Sequence, residues 1–197
     1  MWMKALIAAW AMSVTAVLAS MSSWHSFLFA APDAEQVSAF LKVEAPLNLL
    51  HVMAAGCSCS GHLADYLADR GALNSIGPAS EVSERVLILG EMPEQTIALR
   101  RAGFPVESMD FEKARSRGFL SGVPLLVIFD GERQVEYIGG YADTPITPLA
   151  SFYDVRLAQS IRLGESLDQF PVRGCAVSRE LQEMLDPFGL KYRSTDT

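Results

Sequence analysis

The hydrophobic positions of this chain fall into long unbroken runs and into stripes at helical spacing. Ala5 to Ala19 is apolar except for Ser13 and Thr15, and a single Lys4 stands ahead of it. Leu47 to Ala54 is broken only by Asn48 and His51, and Arg85 to Leu89 reads Arg-Val-Leu-Ile-Leu. Short runs without alternation predict strands covered on both faces, a property of α/β folds. Between these two runs Leu63, Tyr66 and Leu67 repeat at helical spacing, with Gly71 as a stop, so a helix is expected through Arg70. The first βα unit is therefore Leu47 to Arg70.

The remaining elements follow from the same pattern. Asp33 reads as an N-cap with Gln36 three positions on, opening a short helix whose stripe is Val37, Phe40 and Leu41. Asn74 to Ser83 reads as a loop, and Pro93 as the first residue of a helix reaching about Ala102. Phe104 to Met109 is a short third strand, and Asp110 to Arg117 a helical or irregular connection. Leu125 to Phe129, a turn at Asp130-Gly131 and Gln134 to Ile138 form a β-hairpin that ends in Gly139-Gly140. Leu149, Phe152, Tyr153, Leu157 and Ile161 share a face of a closing helix. The tail from Gly164 carries Cys175, a further N-cap at Ser178, and a stripe of Leu181, Met184, Leu185 and Phe188 ended by Pro187 and Gly189.

Composition narrows this picture. With 197 residues, 50% hydrophobic and 20% charged, the chain buries one good core and is not a disordered protein. The expected division is 1–31 as signal peptide or signal anchor, 32–163 as the α/β domain and 164–197 as a helical extension. A net charge of −7 without long charged runs argues against nucleic acid or an anionic membrane surface as the main partner. The N-terminal run reads as an export address with a membrane-tethering helix, and Val17-Leu18-Ala19 resembles a cleavage site. The expected location is the inner membrane facing the periplasm, or the periplasm or exterior if the segment is cut.

Three cysteines are too few for a disulfide scaffold. Two of them are packed into Gly56-Cys57-Ser58-Cys59-Ser60-Gly61-His62, at a strand-to-helix junction where helix N–H groups favour a thiolate. No phosphate loop, Gly-x-Gly-x-x-Gly, His-Glu-x-x-His or Gly-x-Ser-x-Gly occurs.

A cysteine turn after the first strand, Gly122-Val123-Pro124 opening a hairpin and Gly139-Gly140 closing it resemble the thioredoxin-like fold, in particular the membrane-tethered TlpA-type thioredoxins. The resemblance runs from about Leu47 to Ile161. It implies a central mixed sheet flanked by helices, a cis Pro124 beside a nucleophilic Cys57, and Val123 backbone groups that pair with an extended substrate. The Cys-x-Cys spacing departs from the family's Trp-Cys-x-x-Cys: Gly56 replaces the tryptophan and Ser60 the second cysteine.

The function this implies is an exported thiol–disulfide oxidoreductase acting on protein disulfides. Cys57 is expected to be exposed at the turn. A Cys57–Cys59 couple is the favoured arrangement and requires the turn to stay non-helical through Cys59, since residues two apart on a helix do not face each other. A Cys57/Ser60 monothiol and Cys175 as resolving partner are the other two. An alternative of another class is a Cu(I) or Zn(II) site of Cys57, Cys59 and His62, resembling the Sco-type copper chaperones. His51, inside an apolar run, reads as a core side chain rather than a ligand. The third reading is a binding domain without redox chemistry.

Overall fold

The computed structural model describes residues 2–23, 27–73, 81–116, 120–165, 167, 169–186, 189 and 192, without the side chains of 19–23. The N-terminal run is one helix, α1 (Trp2–Ser23), whose large apolar side chains from Trp2 to Leu18 face outward. Among the described residues no helix is long and apolar enough to cross a membrane, so the expected membrane anchor gains no support from the structure. A two-residue strand β1 (Leu28–Phe29) and a short helix α2 (Ala34–Val37) follow. Gln36 Oε1 accepts the Asp33 N–H at 3.0 Å, as the Asp33–Gln36 spacing predicts.

The centre of the molecule is a five-stranded mixed sheet. Its strands are β2 (Leu47–Ala54), β3 (Val82–Leu89), β4 (Val106–Met109), β6 (Leu125–Asp130) and β7 (Val135–Gly139), in the order β4-β3-β2-β6-β7. β2, β3 and β4 are parallel, while β6 and β7 run antiparallel. The helices are α3 (Ser58–Arg70), α4 (Pro93–Arg101), α5 (Phe111–Ser116) and α6 (Asp154–Arg162). A mixed sheet flanked by helices, with parallel units first and a hairpin last, is the arrangement expected from the sequence and is consistent with a thioredoxin-like fold.

Every residue of β2 is buried, because alternate side chains enter two cores. Leu50, Val52 and Ala54 face the layer that holds all three cysteines. Leu49 and Met53 face the layer built from α3, α4 and α6. His51 belongs to this second layer, where Nδ1 meets Tyr141 Oη at 2.8 Å and Nε2 meets Glu84 Oε1 at 3.2 Å. It is a satisfied core side chain on the face of β2 away from the cysteines.

Three expectations need correction. β3 starts at Val82, inside the expected loop, because Glu84 is a buried acid held by Arg70, His51 and the Leu73 amide. The rest of that loop, 74–80, lies outside the described residues. Leu149 is 95% exposed and precedes α6, whose first residue is a buried Asp154 bonded to Arg70 and Tyr66. Finally, the tail is not simply helical. It contributes β8 (Val172–Arg173), paired antiparallel with β1, and β9 (Cys175–Ala176), paired antiparallel with β5 (Gly122–Val123). Only then does α7 (Arg179–Leu185) follow, with the expected Ser178 cap accepting the Leu181 N–H at 3.3 Å. Pro187 and Phe188 lie outside the described residues.

Candidate functional site

Cys57 is the N-cap residue of α3: its backbone is extended, and its carbonyl accepts the first helical bond from Gly61 N–H at 3.0 Å. That geometry places its sulfur over the helix N-terminus, where the macrodipole and unpaired N–H groups favour negative charge. The Cys57 Sγ lies 3.9 Å from the Val123 carbonyl oxygen, and the Val123–Pro124 peptide bond is cis. The sulfur thus lies against the carbonyl of the residue that precedes Pro124, sixty-seven positions further along the chain.

Four groups set the charge state of this sulfur. The Cys175 thiol is the strongest donor to it, followed by the Cys59 thiol; burial opposes them, and the Ser60 hydroxyl and amide add to them. Together they hold the Cys57 pKa well below the ordinary thiol range. The Ser60 amide faces the sulfur without closing a full capping hydrogen bond. The Ser60 oxygen already accepts the Ala54 N–H at 3.1 Å, which leaves its hydroxyl hydrogen available to the sulfur. Ser60 is thus placed to donate to the Cys57 sulfur.

The exposure of Cys57 differs from expectation. It is 5% exposed, as enclosed as Cys59 and Cys175, and none of the three is in a disulfide. The cover is the tail: β9 runs along β5 with Cys175 opposite Val123 and Ala176 opposite Gly122. Val123, expected to offer its backbone to a substrate, is thus already paired with a strand of its own chain.

Cys59 meets the helical condition that a Cys57–Cys59 couple was expected to avoid. α3 begins at Ser58, and the Cys59 thiol lies 3.8 Å from the Ile146 carbonyl, so its one hydrogen goes either there or to the Cys57 sulfur. His62 lies half-buried on the next turn of α3. Among the described residues no three His, Cys, Asp or Glu side chains gather into a set that could hold a metal ion, so the Cys57–Cys59–His62 alternative finds no assembled ligand set.

The docking of the tail has only a weak signal in the sequence: Val172 and Cys175-Ala176-Val177 are strand-compatible but only two or three residues long. Gly140 and Gly174 are the stronger clue. A Cβ on Gly140 would lie 2.1 Å from the Pro171 oxygen, and one on Gly174 would lie 2.0 Å from the Val123 oxygen. Both glycines stand where the tail backbone passes within contact of the hairpin, a separation that admits no side chain.

No family model matches this sequence, and no curated protein matches it either. Among solved structures, a hypothetical protein from Sinorhizobium meliloti 1021 aligns with a TM-score of 0.50 at 17% identity, covering 78% of this chain and 91% of that one. An uncharacterized conserved protein from Geobacillus kaustophilus aligns with the same score and identity, covering 78% of this chain and 89% of that one. These likenesses concern fold alone. A thioredoxin-family thiol:disulfide interchange protein from Chlorobium tepidum TLS aligns at 13% identity and a TM-score of 0.40, over 68% of this chain and 91% of its own, which is too distant to carry weight.

Proposed function

We propose that this protein is a thiol–disulfide oxidoreductase that acts on protein disulfides through Cys57. The observation that carries this reading is the position of the Cys57 sulfur: at the N-terminus of α3, beside the Val123 carbonyl, and ringed by the donors of Cys175, Cys59 and Ser60. A core cysteine has no use for three converging donors, whereas a nucleophile needs its thiolate populated at neutral pH. Cys57 would attack a client disulfide, and Ser60 would hold the thiolate ready. The protein partners are chains that present a disulfide or dithiol in extended form.

Export belongs to the same proposal, with Trp2–Ser23 as the address that carries the domain to the periplasmic side, either retained at the inner membrane or released. Fractionation of cells producing the full chain, with protein sequencing of its N-terminus, decides between these outcomes; recovery from the cytosol with an intact N-terminus would reject export.

The activity is tested by insulin reduction and by exchange with glutathione disulfide. The wild-type chain should catalyse both, and Cys57→Ser should abolish both. Equal activity in that variant would overturn the assignment.

A further inference from the structure

On the reading of Cys57 as nucleophile, an extended client would pair along the edge of β5 beside that sulfur, and in this chain the edge is occupied in cis. Cys175 stands opposite Val123 in antiparallel register, and the Val177 N–H reaches the Ser121 oxygen at 3.0 Å. The far edge of β9 is closed as well. Its Ala176 N–H goes to the Tyr192 hydroxyl at 3.0 Å, and its Ala176 carbonyl accepts from Gln182 Nε2 at 2.9 Å. A client strand therefore cannot add outside β9, because the ladder groups it would need are taken by side chains of the tail. It can reach Val123 only by replacing β9.

β9 contributes only two residues to the ladder, so its backbone pairing is short, while Cys175, Ala176 and Val177 are buried against the core. Its register is kept from outside by Arg115, whose Nε donates to the Val177 oxygen at 3.0 Å and whose guanidinium donates to Gln182 Oε1 at 2.8 Å. The residue that this strand brings to the active sulfur is itself a cysteine.

Resting on the reading of Cys57 as nucleophile, we propose that Cys175 is its resolving thiol, carried on a strand that occupies the substrate edge and is displaced by an extended client segment. The Cys57 thiolate attacks a client disulfide, forming a mixed disulfide and releasing one client thiolate, which takes up a proton. When β9 returns to β5, Cys175 loses its proton and attacks the Cys57 sulfur. The Cys57–Cys175 disulfide forms, and the second client sulfur leaves as a thiol. Two protein thiols are oxidised and one client disulfide is reduced to two thiols; a client dithiol drives the same steps in reverse. A dithiol reductant closes the cycle in the reducing direction.

The test uses the reduced full chain, glutathione disulfide and non-reducing peptide mapping by mass spectrometry. Wild type and Cys59→Ser should both end as a Cys57–Cys175 disulfide. Cys175→Ser should stop at a Cys57–glutathione adduct that persists about tenfold longer or more. A wild-type Cys57–Cys59 disulfide, or an adduct that resolves equally fast without Cys175, would overturn this inference while leaving the nucleophile intact. Absence of any adduct on Cys57 in every variant would instead reject the function itself. Displacement is read separately, from labelling of Cys57 by a bulky maleimide. Gly174→Val, which forces a side chain into the Val123 oxygen, should speed labelling about tenfold or more. Arg115→Ala, which loosens the latch without touching the strand, should do so to a smaller extent. Unchanged labelling in a folded Arg115→Ala chain would show that β9 is not a displaceable cover.

Discussion

Replacing Cys175 by alanine probes the electrostatics of the site without disturbing its backbone. The β5–β9 ladder uses main-chain groups, so Cys175→Ala keeps the strand and removes only the leading donor to Cys57. A hydrogen bond to a charged group contributes about 1.5–3 kcal/mol, so losing it raises the Cys57 pKa. At pH below the wild-type pKa the thiolate fraction then falls by roughly ten- to a hundredfold. The assay is the pH dependence of iodoacetamide alkylation, checked by thiolate absorbance near 240 nm, with Cys59 and Cys175 identified by mass spectrometry as alkylated or not. Cys59→Ala should give a smaller rise and Ser60→Ala a smaller one still, following the order in which these groups act on the sulfur. A Cys57 profile unchanged in Cys175→Ala, or a larger rise in Ser60→Ala than in Cys175→Ala, would refute the assignment of Cys175 as the main support of the thiolate.

Other consequences follow from the same contacts. If the Cys57–Cys175 disulfide forms, it closes a loop of about 118 residues, and the chain-entropy argument gives the oxidised form about 5 kcal/mol of added stability as an upper bound; urea midpoints of the oxidised and reduced chains should differ in that direction. Glu84→Gln leaves Arg70 mostly buried with one fewer anionic partner and should cost roughly 3–5 kcal/mol in denaturant unfolding. Burial alone would raise the Glu84 pKa, but His51 and Arg70 outweigh it and bring it to about 2. Its folded value therefore lies below its unfolded one, so its stabilisation is complete above about pH 4.5 and is lost as pH falls toward 2. Wild-type unfolding free energy should rise with pH across that window, and Glu84→Gln should flatten the slope. Asn48 accepts the Glu44 and Ala45 N–H groups and donates to the Ala45 oxygen, so Asn48→Ala should lower stability by about 1–3 kcal/mol, read from a urea melt.

Much of the fold was legible in the order of residues, because buried strands and amphipathic helices are local properties of the pattern. The run Leu47 to Ala54, broken only by Asn48 and His51, specified the central strand, Pro93 and Ser178 marked helix starts, and Asp130-Gly131 marked the hairpin turn. The cysteine turn could likewise be located, since a thiol placed before a helical stripe has only a helix N-terminus to occupy. Glu84 could not be read as buried. Its charge argued for solvent, and only the convergence of Arg70, His51 and the Leu73 amide makes its burial tolerable.

Local patterning specifies the central sheet, most of its helices and the place of Cys57 at the head of α3. Which sulfurs lie beside it depends on contacts between segments far apart in the chain. Cys59, two positions away, lies along the helix with the Ile146 carbonyl and the Cys57 sulfur as competing acceptors for its thiol hydrogen. Cys175, more than a hundred positions away, is brought opposite Val123 by a backbone ladder. Strand pairing is made by groups that every residue carries, so two residues of tail give no pattern by which their partner could be foreseen.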